Sequence, residues 1–170
     1  SVLLGFSIIN GDGNYTNLRG TLFHHFGGGV FCYMSSPTIA HLKIYGNSAD
    51  DGGGIFCHTS NAKLSHLEIN GNISDLGGGI FIKNNSNPII SDVLISNNDA
   101  YNGGGLYTSN SNPFIKDVVI RNNFGDLGGG IIGFGSQINL VNVEISINLS
   151  RSGGEIDLAN SSVLHMINST

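Results

Sequence analysis

Aligned in blocks of 25 or 26 residues, the chain lines up side chains that have chemistry to offer. One column reads His41, His66, Asp92, Asp117, Asn142. If successive blocks stack as neighbouring strands, ~4.8 Å apart, Asp92 and Asp117 stand about 5 Å from each other, the separation at which retaining glycosidases pair a nucleophile with an acid. A solvated face is the competing reading, because any repeat that keeps Asp in a column generates such a pair. His41 and His66 supply two imidazoles, and two ligands without a third do not make a metal site. A second column reads His25, Asp50, Asp75, Tyr101, Asp126, Arg151. Asp50 over Asp75 would welcome an oxygen-loving cation such as Ca²⁺, or each Asp accepts hydrogen bonds from the glycine amides that follow it, as a turn residue does. The third column is aromatic: Phe31, Phe56, Phe81, Tyr107, flanked two places on by Tyr33, His58 and Lys83. Four rings in register form a strip ~15 Å long that matches the apolar face of an extended sugar chain. Alternatively the rings stack on one another for stability or lie under a loop. Phe31, Phe56, Phe81, Tyr107, Tyr33 and His58 are the candidate binding residues, and no catalytic set, metal site or cofactor is expected.

All three columns depend on an element that repeats. Glycine triplets begin at Gly27, Gly52, Gly77, Gly103 and Gly128, with a worn copy at Gly153-Gly154-Glu155, so the period is 25, 25, 26, 25 and 25 residues. A period that regular signals a solenoid. With the first glycine as place one, place four reads Val30, Ile55, Ile80, Leu106, Ile131, Ile156, aliphatic throughout, and must face a core. Place five is the aromatic column, continued by Ile132 and Asp157. Strand neighbours alternate faces, so place five is read as outward and exposed. Place six returns inward with Cys32, Cys57, Ile82, Thr108, Gly133, Leu158.

A second strand follows in each block, at Ile39–Ile44, Leu64–Ile69, Val93–Ile95, Val118–Ile120 and Val143–Ile145, alternating at period two. Pro37, Pro88 and Pro113 share the corner between the two strands, a place that suits a residue with no amide to donate. After the second strand comes Asn47, Asn72, Asn98, Asn123 or Asn148. Stacked ~4.8 Å apart these amides can bond side chain to side chain as a ladder, or each simply tolerates a left-handed turn; both readings are structural.

The words GGGIFCHTSN, SNPIISDVLISNN and GGGLYTSNSNPFIKDVVIRNN resemble right-handed parallel β-helix repeats. The similarity is to repeat proteins of bacterial cell surfaces, including the polymorphic outer membrane protein type, and more distantly to the pectate-lyase-like superfamily. It covers residues 27 to 160 and implies an all-β, right-handed parallel β-helix of about six coils. That coil carries adhesins, lyases, glycosidases and passive stalks alike, so the resemblance specifies fold far more than function.

Composition narrows the rest. Of 170 residues 39% are hydrophobic, enough for a core in a single domain spanning 1–170, while 11% are charged and Asn, Ser and Gly dominate the remainder. Net charge is −5 and the seven basic residues are scattered, which argues against nucleic acid and anionic membrane as partners. No apolar run approaches the ~20 residues of a membrane span, and no signal segment opens the chain. Phe6 matches Leu42 across 36 residues rather than 25, so the first turn carries an excursion within 11–26 that holds Tyr15, Leu18, Leu22, Phe23, His24 and His25. Its apolar content suggests that it folds back on the coil; a functional lip is the rival. Cys32 and Cys57 fall at one inward place on adjacent turns. Parallel side chains strain an S–S bridge, which favours buried thiols. Neither terminus offers a cap for a free sheet edge, so further turns or end-to-end association is expected. The function expected is a non-catalytic extracellular or cell-surface solenoid, adhesin-like or in contact with polysaccharide or surface glycan. The alternative is a polysaccharide lyase or glycoside hydrolase on the same coil.

Overall fold

The computed structural model describes residues 1–17 and 24–170. Among the described residues there is no helix, and the strands form a parallel β-solenoid of about six turns. Strands following the glycines stack with Ile55, Ile80, Leu106, Ile131 and Ile156 as successive register partners. A second sheet stacks the long strands Thr38–Tyr45, Lys63–Asn70, Ile89–Ser96, Phe114–Arg121 and Gln137–Ser146. Place four and place six side chains point between these sheets, where Ile55, Ile80, Ile82, Leu106 and Ile131 are fully buried with Leu64, Ile69 and Ile120. Burying one such side chain contributes about 1.5–3 kcal/mol, and every turn repeats the contribution.

A third strand per turn was not read from the sequence. Ile73–Leu76, Asp99–Asn102, Phe124–Leu127 and Leu149–Ser152 form a four-stranded parallel sheet between the asparagine column and the glycines. Its inward column, Ser74, Ala100 and Gly125, is made of small residues. The hydrophobic period there is too weak to announce a strand.

The chain bends where the backbone turns left-handed, and these positions repeat with the turns. His41, His66, Asp92, Asp117 and Asn142 all have φ between 52° and 56°, so the column with paired carboxylates sits at a bend inside each long strand. Gly46, Gly71, Asn97, Asn122 and Ile147 mark the bend before the asparagine column. Glycine, Asn, Asp and His tolerate this conformation; Ile147 is the costly exception.

The first turn departs as expected. Val2–Leu4 pairs with Thr38–Ala40 and Ser7–Ile9 with Lys43–Tyr45, an offset of 36. Part of the extra length is a hairpin, Asn14–Thr16 antiparallel to His24–Phe26. It is tied to the coil by the His25 amide, which donates to Asp50 Oδ2 at 2.8 Å. Tyr15 is exposed, and Leu18, Leu22 and Phe23 lie outside the described residues. Cys32 and Cys57 are free thiols in the main core.

Candidate functional site

The expectation of an exposed aromatic strip at place five is corrected by the shape of the glycine corner. Gly77 has φ 66°, and a Cβ there would meet Ile80 O at 2.5 Å and Phe81 Cβ at 2.8 Å. Only glycine lets the chain fold back this tightly. The corner is therefore re-entrant: side chains just before it and just after it leave the main core yet face each other. Phe26, Phe56 and Phe81 form a second buried cluster, packed by Phe31, Leu76 and Tyr107. Phe56 is fully buried, with ring centres of Phe26, Phe81 and Phe31 at 5.0, 5.4 and 5.8 Å. The faces alternate as expected, but a column that points away from one core is here the inside of another. Phe31 and Tyr107 are half-buried, as is Tyr33, which stacks on Phe31 at 6.0 Å. His58 is buried, its ring in contact with Tyr33, Thr59 Oγ1 and Asn84 Nδ2.

The chemistry inside this corner belongs to Asp51. It stands in the column between Phe26 and Leu76, a carboxylate where its neighbours are apolar. Burial pushes its carboxyl up to about 6, while Lys83 and His24 pull it down and Asp50 and Asp75 add to the rise. Lys83 Nζ lies 4.0 Å from Asp51 Oδ2 and sits over the rings of Phe81 and Phe56, at 5.2 and 5.9 Å from their centres. Burial, then the Asp51 charge, raises the Tyr107 phenol as well.

The other polar columns stay outside. His41 and His66 stack with ring centres 4.5 Å apart, and Asn142 Nδ2 donates to Asp117 Oδ1 at 3.0 Å. Asp50 and Asp75 border a cavity of about 390 Å³ with Asp12 and His25. Among the described residues no three His, Cys, Asp or Glu side chains are placed to hold a metal ion. The Asp column does not cap the glycine amides: Gly77, Gly78 and Gly79 donate to carbonyls of Asn102, Gly103 and Gly104 on the next turn.

The asparagine ladder is present. Asn47, Asn72, Asn98 and Asn123 each donate from Nδ2 to Oδ1 of the next at 2.9–3.0 Å. Each backbone amide donates to the same oxygen at 3.0 Å. Asn148 ends the series by donating from Nδ2 to Glu155 Oε2 at 3.2 Å, so a carboxylate takes the place of the next amide oxygen. Two further ladders escaped the sequence reading. Amides of Ser60, Ser86, Ser111 and Ser136 donate to the serine hydroxyl one turn on. Amides of Asn87, Asn112 and Gln137 donate to the asparagine one turn back. The recurring Ser-Asn before Pro88 and Pro113 was the signal that could have disclosed them.

No protein-family model matches the chain, and no curated protein or solved structure is found similar to it.

Proposed function

We propose that the chain is a rigid, non-catalytic module of an extracellular or cell-surface protein, adhesin-like, whose outer faces contact polysaccharide or surface glycan. The observation that carries this reading is the unbroken asparagine ladder, which ties each turn to the next through buried amide pairs. Such a coil resists bending and shear between turns, as a spacer or display surface must. Among the exposed residues Asn, Ser and Thr outnumber charged side chains, and such groups exchange hydrogen bonds with sugar hydroxyls without the cost of desolvating ions. The resemblance of the glycine and asparagine words to right-handed bacterial surface repeats points the same way. Contact with further turns or another copy at a free sheet edge belongs to this reading.

One observation favours the enzymatic alternative, a lyase or hydrolase of polysaccharide: Asp51, with its carboxyl held near pH 6 beside Lys83, has the protonation behaviour of a general acid. The purified chain applied to a panel of immobilised neutral and acidic polysaccharides, with release of reducing or unsaturated sugars followed in parallel, separates the two. Retention without release supports the spacer; release abolished by Asp51→Asn supports the enzyme; neither retention nor release overturns both.

A further inference from the structure

The long-strand sheet carries a concavity that shares no lining residue with the aromatic cluster of the glycine corner. It measures about 310 Å³ and is lined by Ser7, Lys43, Tyr45, Glu68 and Asn70. Two columns on one face build it, because Ser7, Lys43 and Glu68 are register partners on three adjacent strands, as are Ile9, Tyr45 and Asn70. Residues two apart share a face, so the Tyr45 ring stands beside the Lys43–Glu68 pair, whose Nζ and Oε2 are 3.0 Å apart. Asn70 donates from Nδ2 to Ser96 Oγ at 2.9 Å, which fixes its amide and directs its carbonyl oxygen away from that serine.

What this set can hold follows from its chemistry. The volume lies at the lower end of ligand-binding cavities, about 300–1,000 Å³. Tyr45 offers the half-exposed face of a ring, Lys43 donates, Glu68 accepts, and Ser7 does both. A phosphate or carboxylate ligand would meet Glu68, and a bare cation would meet Lys43, so neither charged class is favoured. A sugar ring has an apolar C–H face for the tyrosine and a fringe of hydroxyls that donate and accept. The same columns one and two turns on read Leu94 with Ser96 and Val119 with Arg121. There the ring and the ion pair are gone. The repeat thus departs from its own pattern in exposed side chains that neither the core nor the ladders use.

We propose that this concavity is a saccharide subsite, seating one uncharged pyranose-type unit on Tyr45 with its hydroxyls bridged by Lys43 and Glu68. The proposal rests on the glycan-contacting reading and names where that contact is made. Its test starts with the wild-type chain on an array of gluco-, xylo-, manno- and N-acetylhexosamine oligosaccharides, with polygalacturonate as the acidic member. The tightest binder is then titrated into Tyr45→Ala and Glu68→Gln. The expected result is binding to a neutral oligosaccharide that weakens about tenfold or more in each variant, with melting temperatures unchanged. Glu68→Gln keeps the shape of an exposed side chain and serves should Tyr45→Ala fail to fold. Wild-type binding undiminished in both variants would overturn the subsite and leave the glycan reading standing. Absence of binding to any member overturns both, and preference for polygalacturonate alone overturns the assignment to an uncharged unit.

Discussion

Replacing Asp51 with asparagine is expected to stabilise the coil at neutral pH and to leave it unchanged in acid. Asp51 is 8% exposed, and burial raises its carboxyl from 3.8 to about 6. Below the lower value the group is neutral in folded and unfolded chains alike and costs nothing. Between the two values the unfolded chain ionises while the folded one keeps its proton, so stability falls as pH rises; above about 6 the loss is complete. At about 1.4 kcal/mol per pH unit the full loss is about 3 kcal/mol. Asparagine removes the titration at nearly constant shape but deprives Lys83 of its partner at 4.0 Å. The Lys83 side chain is 28% exposed and keeps its contacts with Phe56 and Phe81, so the net gain expected at pH 7.5 is about 2 kcal/mol. For a chain of this length that is a rise in melting temperature of roughly 4–8 °C. Thermal unfolding followed by circular dichroism, for both proteins at pH 4 and pH 7.5, measures the difference. A gap equal at the two values, or a wild type more stable at pH 7.5, would refute the burial cost assigned to Asp51.

Phe81→Ala is expected to cost about 3–5 kcal/mol, as a deletion from a packed interior does, because Phe81 is 2% exposed within the second cluster; chemical denaturation measures it. Gly78→Ala should prevent folding or lower the melting temperature severely, since its Cβ would lie 2.6 Å from carbonyl oxygens of Asp99 and Gly104, whereas the equivalent Gly154→Ala, with no atom nearer than 3.7 Å, should be neutral within about 0.5 kcal/mol. Asn98→Ala removes the acceptor of the Asn72 backbone amide, one of the two acceptors of Asn72 Nδ2, and the side-chain donor to Ile69 O, while Asn123 Oδ1 keeps the residue-98 backbone amide; at about 1–3 kcal/mol per orphaned buried group, a loss of about 3 kcal/mol is expected, seen first as faster hydrogen exchange in the turns on either side.

The glycine period and the aliphatic column were enough to specify stacked parallel strands, because both are set by one repeating contact between neighbouring turns. The ladder was legible for the same reason. The aromatic column was not, since alternation tells which face of a strand a residue takes but not what lies opposite that face. Phe26 and Leu76, whose positions before the corner carried no periodic signal, decide that Phe56 is interior. The third sheet was hidden by its small inward residues, Ser74, Ala100 and Gly125. Asp51 passed unremarked because, in sequence, it is one more Asp beside Asp50; only the corner makes it a carboxyl among phenyl rings. The concavity around Tyr45 combines residues far apart in sequence, Ser7, Tyr45 and Glu68, and becomes visible only when the offset of the first turn is applied.

Glu155 bears on how such an array can grow by duplication of its 25-residue unit. At Gly29, Gly54, Gly79, Gly105 and Gly130 a Cβ would stand 2.5–2.8 Å from the carbonyl oxygen of the same place in the following turn. Each of these units can be copied into the interior of a longer array because its third glycine leaves room for a successor. The unit that carries Glu155 lacks that glycine. A successor in the same register would drive its carbonyl into the glutamate Cβ, and it would find the last asparagine already engaged by the carboxylate. Copies of the first five units therefore stack on one another without a side chain at the third glycine place, whereas a turn laid on the sixth in the same register has the Glu155 side chain to accommodate, so the units are not interchangeable as building blocks.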